Sequence, residues 1–501
     1  MNSNLFHQSY IYQINTRIFC IENKCTLENL PTWFFETPEF LAAEYIWFMG
    51  IWKPSMKSIE ICKTHEGLLK EFQKVLPDLQ ESDIIGSPYS IYEYTPNPLV
   101  VHSWEGLHRL KSKLHKFGKK LILDFVPNHM SVDTIYLEKF PDLFLHKSDE
   151  ETICKNSFLY PKNGKIYYHG RDPYFDGWTD TVQWDFSKIE VLNLHKEILN
   201  QLAEYCDGVR CDMAMLPLPD VFEKTHGKKA VDYWKPLIEY IKEIYPNFVF
   251  IAEVYWNREY ELQQLGFDYT YDKTLYDRLK SNEPQNLRLH LQANLDYQNK
   301  SLRFLENHDE PRALDVFGES STSKFSLLCF LPGMILYHEG QQKGYIKKIP
   351  VQLARRPEEN RNNFIQSFYN RALEQITNRV QEKHSFQIYS SCYEIQNFNP
   401  LFCYGIYYFK YIPLLSGKVK VMHIEILVFN PEQQILSGWL QLEDIIKKFI
   451  HGLMPEKIKL KDIVTGTVYK KEKKEVLEKG IYVKLEPNKA HWFILDSDLM
   501  K

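Results

Sequence analysis

Nearly continuous apolar runs, most of them introduced by a helical stretch, constrain this chain more than any other feature. "YIWFMGIWKPS" (Tyr45 to Ser55), "LILDFVPNHM" (Leu121 to Met130) and "NFVFIAEVYW" (Asn247 to Trp256) have no polar alternate face. Such runs suit strands buried on both sides, as in parallel sheets. Helices precede most of them. "SWEGLHRLKSKLHKFGKK" has Ser103 as its cap and Gly118 as its stop, and "KEILNQLAEYC" and "DYWKPLIEYIKEIY" are amphipathic. Further strands are read at "YIYQINTRIF" (Tyr10 to Phe19), "DGVRCDMAM" (Asp207 to Met215), "SLRFLENHDEPR" (Ser301 to Arg312) and "GMILYHEGQQKG", with a last helix from Asn362 to Thr377. Repeated helix-then-strand units imply right-handed crossovers and a parallel sheet. About eight such strands favour a (β/α)8 TIM barrel over an open doubly wound sheet. No Gly-rich phosphate fingerprint follows the first strand, which argues against dinucleotide binding.

The alternation breaks twice. From Ser131 to Asp185 the chain is polar, aromatic and turn-rich, and reads as a small inserted subdomain after the third strand. From Tyr411 the pattern becomes alternating, as in "KVKVMHIEILVFN" and "KGIYVKLEPNKAHWFIL". That reads as a separate antiparallel β domain. The expected division is a barrel from 1–130 and 186–410, an insertion at 131–185, and a C-terminal β-sandwich domain at 411–501. Residues 56–86 read as an insertion, "SPYSIYEYTPNP" (Ser87 to Pro98) as an irregular loop, and "KKEKK" near residue 472 as a solvated hairpin tip.

Composition excludes some functions. The 501 residues carry a net charge of -4, so no basic surface points to nucleic acid. Nine unpaired-looking cysteines favour reduced thiols. No secretory leader or membrane-spanning run is evident, and a cytoplasmic location is expected. Aromatics reach 15%. They serve either a bulky core or stacking surfaces for ring-shaped ligands.

Chemistry enters at the strand ends, which share one pocket in a barrel. One strand end carries Asp124, Asn128 and His129; the others carry Arg210 with Asp212, Glu253, and His308 with Asp309. Arg210 and Asp212, two apart, point to the same face of their strand. Alone they would read equally well as a satisfied buried ion pair. Charges on inward faces are costly unless something uses them, and four strand ends agree. Converging carboxylates suit either a divalent metal or work on a glycosidic bond. The second needs one carboxylate ionised and another protonated near neutral pH. Arg210 is expected to hold Asp212 ionised, as nucleophile. Glu253, among apolar neighbours in "FIAEVYW", is expected to have a raised pKa, as acid/base.

The segments "LILDFVPNHM", "DGVRCDMAM", "FIAEVYW" and "FLENHDEPR" resemble, in order, the four sequence regions of the α-amylase family of glycoside hydrolases. The resemblance runs from Tyr10 to about residue 400. It implies that Asp212 forms a β-glycosyl-enzyme intermediate, that Glu253 is the general acid/base, and that Asp309 holds sugar hydroxyls and stabilises the transition state. It implies that Arg210, His129 and His308 line the reacting sugar's subsite, that Tyr89 stacks on that sugar, and that Asp124 is a supporting residue. Asn128 matches a position that often ligates calcium, although the chemistry itself requires no cofactor. The insertion resembles the family's B domain and the tail its C-terminal domain. Met215 and Leu216 depart from the family's Lys-His pair, which helps hold sugar and calcium. The expected substrate is an α-linked glucose oligo- or polysaccharide, with transglycosylation, or sugar binding without catalysis, as alternatives. Cys211 is expected to point into the helix layer as a small core residue. Trp178, Trp184 and Trp256 are each expected to be either a sugar platform or packing.

Overall fold

The computed structural model describes residues 8–147, 159–162, 164–381, 386–392, 404–413, 419–421, 423–440 and 456–496. Parts of the expected insertion (148–158) and of the tail (441–455 among others) lie outside them. Eight parallel strands close into a barrel: β1 (Gln8–Asn15), β2 (Tyr45–Met49), β3 (Lys120–Phe125), β4 (Gly208–Cys211), β5 (Val249–Ala252), β6 (Tyr269–Tyr271), β7 (Ser301–Arg303) and β8 (Gly333–His338). Each pairs with its neighbours in sequence, and β8 closes on β1. Every residue of β2 and β4 is buried, as the apolar runs require. At Gly208 a Cβ would lie 2.4 Å from the Val249 carbonyl oxygen, so only glycine allows β4 this close to β5.

The ladder register sets the height of the charged residues. Arg210 pairs level with Asp124 on one side and Ile251 on the other. Pairing continues past the strand ends, with the Asp212 N–H donating to the Phe125 carbonyl and the Glu253 N–H to that of Cys211. These bonds carry Asp212 and Glu253 onto one rim.

Several boundaries differ from expectation. β1 stops at Asn15, and Thr16–Asn23 is a helix. Its apolar residues continue in the helical repeat, so the run does not reveal the switch. β6 is only three residues long, too short for a periodicity signal. Within the stretch read as an irregular loop, Ile91–Pro96 is a strand pairing antiparallel with Trp52–Pro54 across register shifts. Residues 56–86 hold two helices, Met56–Thr64 and Glu66–Val75. "KKEKK" ends one strand and opens the helix Lys473–Glu478, so it is no hairpin tip.

After β3 the chain leaves the barrel. His129–Ser131 pairs antiparallel with Thr181–Gln183, and a small three-stranded sheet lies between them in sequence. Antiparallel strands follow the last barrel helix (Asn363–Gln381), starting at Phe386. This C-terminal unit meets the barrel through Trp492 against Phe330 at 5.3 Å and a buried Arg379–Glu425 pair at 2.6 Å. Cys211 is buried in the barrel wall, and the described cysteines Cys20, Cys25, Cys62, Cys206, Cys211 and Cys329 are free thiols. Among the described residues no helix is long and apolar enough to cross a membrane.

Candidate active site

The strand ends open into a cavity of about 680 Å³. Asp212, Glu253, Asp309, Tyr89 and His129 all line it, with Tyr255, Met213, Trp178 and Asp180. Arg210 sits beneath, its side chain 1% exposed. Its Nη1 lies 2.6 Å from Asp212 Oδ1, its Nη2 2.7 Å from Glu253 Oε2, and Nη2 again 3.9 Å from Asp309 Oδ2. The rings of Trp47, Tyr89 and Tyr271 surround the guanidinium at 5.4, 5.3 and 5.8 Å. One fixed cation thus joins three carboxylates. Burying a lone guanidinium would be prohibitive; Nη1 hydrogen-bonds Asp212, and Nη2 meets Glu253 as a close ion contact without hydrogen-bond alignment.

The three carboxyl groups are not equivalent. Burial pushes Glu253 up to about 7; Arg210 opposes the rise, and the charges of Asp212 and Asp309 add to it. Burial also raises Asp212, again against Arg210. From the sequence, Arg210 is expected to hold Asp212 ionised. Instead it is shared with Glu253, and desolvation decides the direction of the Asp212 shift. Asp309 behaves oppositely. Burial would raise it, but His308 beside it, with Arg210 and Lys348, holds it well below the usual carboxylate range. Its side chain is 41% exposed, against 4% for Glu253. The site therefore holds one firmly ionised carboxylate at its mouth and one carboxyl that titrates near neutrality.

The remaining expected residues fall into two groups. His308 is buried, with Nε2 2.9 Å from Asp309 Oδ2 and 2.7 Å from the Tyr89 hydroxyl. Tyr89 stacks on its ring at 5.4 Å. His129 is buried beside Trp178 at 5.1 Å, and burial lowers its pKa to about 4, so it meets a ligand as a neutral imidazole. Asp124, Asn128 and His308 do not line the cavity; His308 stands behind Asp309 and Tyr89. Asp124 accepts from the Gly50 N–H at 2.7 Å and the Trp47 Nε1–H at 3.1 Å. It thereby pins the turn after β2, where Gly50 sits at φ +75°.

Asn128 does not fit a calcium ligand here. Gln183 Nε2 lies 3.1 Å from Asn128 Oδ1, 2.9 Å from the Asn128 carbonyl and 3.1 Å from the Trp184 carbonyl. An amide nitrogen, itself a donor, stands where those oxygens converge. Among the described residues no cluster of three or more His, Cys, Asp or Glu side chains could hold a metal ion. Met215 and Leu216 are buried in the core.

The tryptophans divide. Trp184 is fully buried, stacked on Phe144 at 3.9 Å, and is packing. Trp178 lines the cavity. Trp256 is half-buried, edge-on to the exposed Tyr174 at 5.1 Å. Two residues of the site are absent from the sequence reading. Gln13 of β1 places Nε2 2.6 Å from His308 Nδ1. Tyr255 donates to Glu253 Oε1 at 2.8 Å. Gln13 carried a legible signal, a polar residue inside a buried strand. Tyr255 stands two residues after Glu253, the same spacing that puts Arg210 and Asp212 on one face.

Comparison with known proteins bears on the family and the fold. The family model "Alpha amylase, catalytic domain" matches residues 103–378. Alpha-amylase 3 of Dictyoglomus thermophilum is 24% identical over 290 residues, covering 53% of this chain and 55% of that protein. The chain thus spans about half the length of this curated relative. An α-amylase from Geobacillus thermoleovorans, solved in complex with acarbose, matches with TM-score 0.61 at 15% identity, over 97% of this chain and 98% of that one. A debranching enzyme from Nostoc punctiforme matches with TM-score 0.59 at 17% identity, over 97% and 98%. At these identities the structural likeness is one of fold.

Proposed function

Because this chain belongs to the α-amylase family of glycoside hydrolases, we propose that it cleaves α-glucosidic bonds, α-1,4 before others, in glucose oligo- or polysaccharides with retention at the anomeric carbon. The observation that carries this reading is the single Arg210 fork between Asp212 and Glu253. It holds the two carboxyl groups side by side at the floor of one cavity. That arrangement supports the close spacing of about 5–5.5 Å found in retaining enzymes, rather than the roughly 6.5–9.5 Å that admits a water in inverting ones.

In this mechanism Asp212 attacks the anomeric carbon while Glu253 gives its proton to the departing glycosidic oxygen. A β-linked glycosyl ester forms on Asp212. Glu253, now ionised, takes a proton from water, and that water displaces Asp212 to release an α-configured product. Asp309, ionised at the mouth, is placed to accept hydrogen bonds from sugar hydroxyls. Tyr89 offers its ring face to the same sugar, and neutral His129 offers a hydrogen bond. Turnover is proposed to require no metal.

The acarbose-bound amylase and the debranching enzyme share the fold, which supports an α-linked glucose chain and leaves linkage to direct test. Incubation with maltoheptaose is expected to yield shorter maltooligosaccharides, with the same profile when a chelator is present. Products longer than the substrate would instead assign a transglycosylase. An unchanged chain length across a panel of α-1,4- and α-1,6-linked glucans would overturn the hydrolase reading, and calcium-restorable loss under chelation would overturn the metal-free one.

A further inference from the structure

The two oxygens of Glu253 live in different surroundings. Oε2 accepts the Met213 N–H at 2.7 Å and faces Arg210 Nη2 at 2.7 Å. Both neighbours are donors, so a proton on Oε2 would confront them. The exchangeable proton therefore belongs on Oε1. Oε1 accepts the Tyr255 hydroxyl at 2.8 Å. Tyr255 comes two residues after Glu253, past the end of β5, the spacing at which strand alternation places two side chains on one face; Trp256 and Asn257 follow it with φ of 62° and 59°. Left-handed backbone at two successive non-glycine residues is costly and persists where the surroundings demand it. The Tyr255 hydroxyl stands at the cavity wall, beside the oxygen that would hold the proton.

We propose that Tyr255 is a positioning residue for Glu253, its hydroxyl holding the ionised form through Oε1 and yielding that bond whenever Oε1 takes up the proton. The inference rests on the acid/base reading of Glu253 given above. A hydrogen bond to a charged oxygen is about twice as strong as one to a neutral oxygen. A protonated Oε1 is also a poor acceptor. Tyr255 therefore favours the carboxylate and opposes the effect of burial, which alone would leave Glu253 too weak an acid to release its proton readily.

The other groups facing Glu253 are Arg210 and Asp212 at the end of β4, Asp309 after β7 and Tyr271 on β6. Arg210 acts at Oε2, and the two aspartates act as charges. Among the described residues the hydrogen bond to Oε1 comes from Tyr255. Removing that donor leaves the acid form favoured, so the Glu253 pKa rises. Activity that requires protonated Glu253 then persists to higher pH.

The test is the pH profile of kcat/KM on maltoheptaose, which reports the free enzyme. Tyr255→Phe is expected to move the basic limb upward by about one unit, the scale of one charge-assisted hydrogen bond. Tyr255→Met, which also lacks the donor, gives the same reading should the Phe variant not fold. A limb that stays in place or moves downward overturns the proposal. Glu253→Gln in parallel separates the two failures. Loss of the limb in Glu253→Gln, with no shift in Tyr255→Phe, sinks only the role of Tyr255. A limb that survives Glu253→Gln sinks the acid/base reading itself.

Discussion

Asp212→Asn is expected to lower turnover of an α-glucan by roughly 10⁴-fold or more, the scale on which loss of a nucleophile is felt, while the protein stays folded. Asparagine keeps the shape of the side chain and an oxygen toward Arg210. Arg210 retains Glu253 and Asp309 as partners, so no buried cation is left alone. What disappears is the charge that attacks the anomeric carbon. A second consequence follows from the shared fork. The Asp212 charge raises the Glu253 pKa. Its removal should lower the basic limb of whatever activity remains, opposite in sign to the shift expected for Tyr255→Phe. Steady-state rates with purified variant, checked for an unchanged unfolding midpoint, decide the matter. Near-normal turnover would remove Asp212 from the mechanism.

Glu253→Gln is expected to cost about 10²- to 10⁴-fold on a natural glucan, the range for a positioned general acid. The loss should depend on the leaving group. A sugar alkoxide needs the proton; an activated aryl leaving group departs without it. With such an aryl α-glycoside the first step should recover, and the glycosyl ester on Asp212 should accumulate because no base activates water. Intact-protein mass would show the adduct. The pH dependence has a defined sign. Glu253 must be protonated for the first step, so wild-type activity falls as pH rises through about 7. The variant should lack that limb. Equal losses on natural and activated substrates would contradict the assignment.

The barrel was legible because burial on both faces forces apolar strands, and no other use of so many such runs fits helices between them. Three-residue β6 was not legible, since Tyr269–Tyr271 is too short to show a period. The strand Ile91–Pro96 was hidden by Pro96, by the flanking Pro88 and Pro98, and by its irregular pairing with Trp52–Pro54. At the site, Asp124, Arg210, Asp212, Glu253 and His308 stood out because charge in a buried strand or at its end needs a reason. Their energetic relations did not. That Arg210 divides itself between Asp212 and Glu253 depends on the register of β4 against β5. The Asn128 position shows the limit of motif matching. The asparagine is present, but Gln183 fills the space a cation would need.

The central claim, double displacement through Asp212 and Glu253, is tested most directly by the configuration of the first product. Proton NMR of maltoheptaose during the opening minutes of hydrolysis, before mutarotation, should show the α-anomer at the new reducing end. A β-anomer appearing first would mean direct attack by water, and would contradict the account.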